Sequence, residues 1–151
     1  MTIRRDVLRQ SLALAGLLAG CAELPLTAPG ANRAAFDART LAEVYQRLGL
    51  PLPELSASVV LLAPEIAEDG AVVPVSLSTR VPGAHSLILL ADRNPTPLLA
   101  VFELSPHLDG SLNTRVKLAQ TCEVYGVVLT HQRQVFYAQR TVKVTLGGCG
   151  G

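Results

Sequence analysis

The chain closes with Gly147, Gly148, Cys149, Gly150 and Gly151, a single thiol set between two pairs of glycines. Glycine lacks a Cβ and loses more conformational freedom on ordering than any other residue, so this spacing predicts a flexible arm with a sulfur near its tip. A thiol can be alkylated, oxidised or joined to another sulfur, and a tethered thiol can carry what it has bonded. Fully extended, Thr145 to Cys149 spans roughly 13 to 14 Å at about 3.4 Å per residue, enough to enter a deep cleft. The sulfur has no activating neighbour in sequence. Lys143 lies six residues before it, whereas the terminal carboxylate is two residues beyond and opposes thiolate formation. Activation is therefore expected from whichever active site receives the arm, while the chain supplies covalent attachment and local concentration.

No other constellation competes with Cys149. His85, His107 and His131 fall in separate turn or strand-edge segments, without the short spacing of a zinc or haem site. Asp92, Glu103 and Asp109 are isolated carboxylates, there is no GxSxG elbow, and no glycine-rich loop precedes a helix. No catalytic residue, metal or cofactor is expected, and the domain reads as a scaffold. Two further cysteines remain. Cys122 sits in an apolar run, where it is either a small core residue or a regulatory thiol able to pair with Cys149 if the arm folds back. Cys21 belongs to the leader.

The leader opens with Arg4 and Arg5, continues through Asp6, Val7, Leu8 and Arg9, and passes into an apolar run from Leu12 to Ala19. Charge followed by a short apolar stretch marks an export signal, and Arg-Arg-x-Val-Leu-Arg is close to the twin-arginine pattern that exports folded cargo. The run is shorter than the roughly 20 residues of a spanning helix. Leu18-Ala19-Gly20-Cys21 resembles the bacterial lipobox, which makes Cys21 a lipidation candidate; cleavage among the small residues Ala13 to Ala22 with an incidental cysteine is the alternative. The chain thus divides into an export signal (1–21), a Pro- and Gly-bearing linker (22–32), a folded domain (33–146) and the arm (147–151), with a periplasmic location expected.

With 151 residues and 49% hydrophobic content the chain can build one core. Thirteen basic residues against twelve acidic ones give a net charge of +1, and aromatic residues make up only 4%, which argues against a nucleic-acid or anionic-membrane role. Leu41, Val44, Tyr45 and Leu48 recur at helical spacing and predict one amphipathic helix over 33–48, capped by Gly49. Beyond Pro51 and Pro53 the period changes to two. Val73, Val75, Leu77 and Thr79 alternate with Pro74, Ser76, Ser78 and Arg80, and Pro74 predicts an edge position for that strand. Alternation at Arg115 to Leu118 and Phe136 to Thr145, with apolar runs at 58–63, 86–91, 98–104 and 122–130, gives seven strands. This pattern predicts an all-β, immunoglobulin-like antiparallel β-sandwich with a short N-terminal helix, a small barrel being the alternative.

The ending Val142-Lys143-Val144-Thr145-Leu146-Gly147-Gly148-Cys149-Gly150-Gly151 resembles the C-terminus of the SoxY family, the sulfur carriers of bacterial thiosulfate oxidation. Further resemblance runs through Ala63 to Val75 and through Thr114 to Thr121, and covers the chain from about Ala57 onward. It implies that Cys149 carries thiosulfate, joined oxidatively by a SoxAX-like c-type cytochrome. It also implies a SoxB-like sulfohydrolase that releases sulfate and, in complete pathways, a SoxCD-like sulfane dehydrogenase. A SoxZ-like subunit is the implied heterodimer partner. Two other readings stay open on the residues alone: an exported binding or structural module with an incidental thiol tail, and a thiol redox enzyme.

Overall fold

The computed structural model describes residues 30–105 and 109–146. Nine strands form among them: β1 (Glu54–Leu55), β2 (Val59–Leu62), β3 (Ile66–Asp69), β4 (Val73–Thr79), β5 (Ala84–Ala91), β6 (Leu98–Glu103), β7 (Ser111–Val116), β8 (Cys122–Thr130) and β9 (Val135–Leu146). They make two sheets, not a closed barrel. The larger runs β1-β9-β8-β5-β6 with β3 also paired to β9, and the smaller runs β2-β4-β7. Pairing is antiparallel except where β1 and β3 lie parallel to β9. The seven-strand expectation missed β1 and β3, which are two and four residues long and mostly exposed, so neither shows the alternation that marks a half-buried strand.

Between the sheets, Val59, Leu61, Val73, Val75 and Leu77 meet Leu87, Leu89, Val124, Val128 and Val142 in one buried cluster. The other face of the larger sheet is covered by two helices, α1 (Gly30–Ala35) and α2 (Leu41–Arg47), where Ala35, Ala38 and Val44 pack on Ile88, Leu90, Leu98 and Val127. Buried on both faces, β5 reads as an unbroken apolar run instead of an alternating one.

The single helix expected over 33–48 is two. Thr40 is extended (φ −133°, ψ 156°), and its Oγ1 accepts from the Glu43 N–H at 3.2 Å, capping α2. The Glu43 carboxylate in turn accepts from the Arg39 N–H at 2.8 Å. This is a Thr-x-x-Glu capping arrangement, which starts a new helix and thereby ends the old one. Gly49 follows the helix at φ 62°, the left-handed geometry its capping role requires.

The edge position expected from Pro74 is also corrected. β4 is the central strand of the smaller sheet, but β2 stops opposite Ser76 (Leu62 facing Ser76), so Pro74 pairs only with Arg115 of β7. A residue without an N–H fits inside this strand because the strand is one-sided at that position.

Candidate functional site

Cys149, Gly147, Gly148, Gly150 and Gly151 lie outside the described residues, as do Cys21 and His107. The structure does place the base from which the C-terminal segment starts. β8 pairs with β9 only as far as Cys122 opposite Val142, and from there β3 takes over, setting Ile66 beside Lys143, Ala67 beside Val144 and Asp69 beside Leu146. The Lys143 N–H donates to Glu65 O at 2.8 Å, and the Gly70 N–H donates to Leu146 O at 2.9 Å. Side chains reinforce the ladder: Thr145 Oγ1 donates to Glu68 O at 3.1 Å, and Thr121 Oγ1 accepts from the Val144 N–H at 3.0 Å. Backbone pairing therefore holds β9 as far as Leu146, the residue that precedes the expected arm. β3, which periodicity did not reveal, is the element that secures this base; only the resemblance over Ala63 to Val75 pointed to the segment.

Cys122 opens β8 and is 3% exposed. Burial pushes its thiol up to about 11, helped by the negative charges of Asp92 and Glu123 and opposed by Arg93. A proton held this firmly keeps the thiolate scarce at neutral pH, so Cys122 behaves as a small apolar core side chain beside Val124 and Val142. Relative to an ordinary thiol its reactive fraction falls roughly 100-fold from the pKa alone. At pH 8 iodoacetamide should label Cys149 in the native chain and reach Cys122 only after unfolding. Peptide mapping of the alkylated protein reads this directly, and prompt labelling of Cys122 in the folded chain would contradict it.

A second polar grouping lies at the far end of β8. Register sets Ala84 opposite Thr130 and Ser86 opposite Glu103, which brings His85 and His131 together with ring centroids 4.8 Å apart and planes at 24°. Ser86, 2% exposed, has Oγ 2.8 Å from His85 Nδ1 and 2.8 Å from Glu103 Oε2. Sequence spacing could not show the His85–His131 stack, because it depends on pairing between strands more than forty residues apart. At about 3.4 Å per residue, the nine-residue β8 separates it from the arm's base by nearly 30 Å. Among the described residues no group of three or more His, Cys, Asp or Glu side chains is placed to hold a metal ion. The grouping joins the ends of β5, β6 and β8 and has no contact with the arm's base.

A family model described as "Sulfur oxidation protein SoxY" matches residues 46–149, a span that takes in the sandwich from the end of α2 onward and ends on Cys149. The solved structure of the sulfur carrier protein SoxY from Chlorobium limicola f thiosulfatophilum is similar at 33% identity and TM-score 0.60, covering 70% of this chain and 94% of that one. A superoxide reductase (neelaredoxin) variant from Ignicoccus hospitalis is similar at 14% identity and TM-score 0.51, covering 58% of this chain and 79% of that one. A superoxide reductase from Thermotoga maritima is similar at 12% and 0.51, covering 62% and 87%. At such identities these two likenesses concern the sandwich alone. No curated protein matches the sequence. The length of the family match, the shared identity with a solved carrier and the two-sheet architecture agree: the chain belongs to the SoxY family and is a sulfur carrier of the Sox system.

Proposed function

We propose that Cys149 is the covalent attachment site and that Gly147, Gly148, Gly150 and Gly151 form the arm that presents it to partner enzymes. The observation that carries this reading is the family match ending on Cys149, three residues beyond the described strand β9. In the loading step the Cys149 thiol gives up its proton and forms a sulfur–sulfur bond to thiosulfate, and two electrons pass to a SoxAX-like c-type cytochrome. The product is a cysteine S-thiosulfonate. Water then attacks the terminal sulfonate sulfur in a SoxB-like sulfohydrolase, releasing sulfate and leaving a persulfide on Cys149. A SoxCD-like sulfane dehydrogenase oxidises that remaining sulfur where the pathway is complete.

In this reading the chain is a substrate of its partners and not a catalyst. A SoxZ-like subunit is its heterodimer partner, and the leader directs it to the periplasm through a twin-arginine route, with Cys21 as a lipid attachment point. Intact-mass measurement after incubation with thiosulfate and the oxidised cytochrome should show one added thiosulfate, localised to Cys149 by peptide mapping. An unmodified chain would support the binding-module alternative, and turnover by the isolated chain would support a redox enzyme.

A further inference from the structure

Residues 117–121 link β7 to β8 and end on Thr121, whose Oγ1 accepts the Val144 N–H. Val144 has need of that acceptor. β8 pairs with β9 no further than Cys122 opposite Val142, and on the other side it is the Lys143 N–H that turns to β3 and donates to Glu65 O. A half-buried N–H left without a partner is costly, so the hydroxyl completes the pairing where β8 has ended. The linking segment is itself held by two turns. Asn94, between β5 and β6, uses both ends of its amide: Nδ2 donates to Lys117 O at 2.8 Å, and Oδ1 accepts from the Ala119 N–H at 2.9 Å. Gln120 Nε2 donates to Arg93 O of the same turn at 3.1 Å. From the other turn Gly70 O accepts the N–H of the fully buried Leu118 at 2.7 Å.

These bonds form a chain that runs from Asn94 to the 117–121 segment and from Thr121 to the end of β9. Among the described residues no hydrogen bond joins Asn94 to β9, so any hold it has on Val144 passes through that segment. The two stretches that resemble the family ahead of the C-terminus, Ala63 to Val75 and Thr114 to Thr121, lie on the two sides of residues 143–146. Their position gives both the same task, which is to hold the last four residues of β9.

We propose that Asn94 and Thr121 are positioning residues for the carrier reaction, a role that rests on the carrier reading above: Asn94 fixes the 117–121 segment, Thr121 fixes Val144, and the pair sets the point from which the thiol-bearing segment departs. With that hold intact, Cys149 is the third residue of a tether that starts after Leu146. Release of 143–146 makes it the seventh. Loop-closure statistics then lower the concentration of the thiol at a fixed target roughly 2- to 4-fold. Strand ends open at little cost, so the loss of one bond there moves a large share of molecules to the released form.

Hydrogen exchange of the full chain, read at single amides by NMR, is the first test. The Val144 N–H should exchange about 5-fold faster in Thr121→Val and in Asn94→Ala, while the amides of Leu89 and Val124 keep the parent rates. Thr121→Ser retains the hydroxyl and should restore the parent rate at Val144. Since Asn94 acts through Thr121, adding Asn94→Ala to Thr121→Val should change nothing further there. The second test is thiosulfate-dependent reduction of the c-type cytochrome partner with the chain as substrate. Thr121→Val and Asn94→Ala should each raise KM for the chain about 2- to 4-fold at unchanged kcat, because the added disorder is lost equally in ground and transition states. Faster exchange throughout the domain with KM unmoved would make both residues merely structural and overturns the proposal. Parent-like exchange at Val144, or additive effects in the double variant, does the same. Unchanged KM in a chain that loads thiosulfate overturns this proposal alone, whereas a parent chain that takes up no thiosulfate at Cys149 overturns the carrier reading and the proposal with it.

Discussion

Cys149→Ser is expected to reduce thiosulfate-dependent electron transfer to the cytochrome to the level seen without the chain, a loss of at least about 100-fold, because a hydroxyl cannot form the sulfur–sulfur bond. Folding should be unaffected. Among the described residues the sandwich core is supplied by side chains of the strands themselves, Leu77 of β4, Leu87 and Leu89 of β5 and Val124 of β8 among them. Cys122→Ala supplies the contrast: it removes a buried sulfur and lowers stability by about 1 kcal/mol, yet cargo should still load. Thiosulfate oxidation assays with the partner enzymes, paired with thermal melts, separate the two thiols. If Cys149→Ser keeps activity and Cys122→Ala loses it, the attachment site has been assigned to the wrong residue.

The largest stability effect is expected at Leu77. It is fully buried at the centre of β4, and its side chain crosses the sandwich to occupy the space that Gly126 of β8 leaves open. A Cβ built on Gly126 would overlap Leu77 Cδ1 and approach Leu61 Cδ1 to 3.2 Å. Leu77→Ala should therefore cost about 2–5 kcal/mol through lost burial and the cavity left behind. Gly126→Ala in the parent chain should cost about 1–3 kcal/mol from overpacking. Combined, the two changes should not add. Removing the Leu77 side chain frees the space that the new methyl needs, so Gly126→Ala should be close to neutral in the Leu77→Ala background. Urea denaturation of the four chains in this cycle measures the coupling, and simple additivity would show that Leu77 does not pack over Gly126.

How legible an element was depended on how asymmetric its surroundings are. β4 announced itself because Val73, Val75 and Leu77 face the core while Pro74 faces solvent and Ser76 and Ser78 are half-buried. β5, buried on both faces, could be recognised as apolar but not assigned a face. β1 and β3 left no periodic trace, since they are held by backbone pairing to β9 and only Ala67 among their side chains is buried. The break between α1 and α2 was written in Thr40 and Glu43, yet the helical spacing of Leu41, Val44, Tyr45 and Leu48 masked it; all four of these belong to α2 or its cap regardless of what precedes Thr40. Arg133 holds a left-handed φ of 61° in the β8–β9 turn, where glycine or asparagine is usual, and its Nη2 donates to Gly49 O at 2.6 Å. That compensation joins residues 84 positions apart and has no local signature. The candidate thiol was the opposite case: Cys149 was picked out by its immediate glycine neighbours without any knowledge of the fold.

The double pairing of β9 has a mechanical meaning. A partner that grips the tip of the C-terminal segment and pulls along the strand loads the β8–β9 and β3–β9 ladders in shear, with many backbone hydrogen bonds sharing the tension at once. Peeling, in which bonds fail one after another, is blocked on one side by the Gly70-to-Leu146 bond and on the other by Thr121 holding Val144. The domain can then bear a pull on its C-terminal strand without unravelling, which is what a carrier loaded at that end would require.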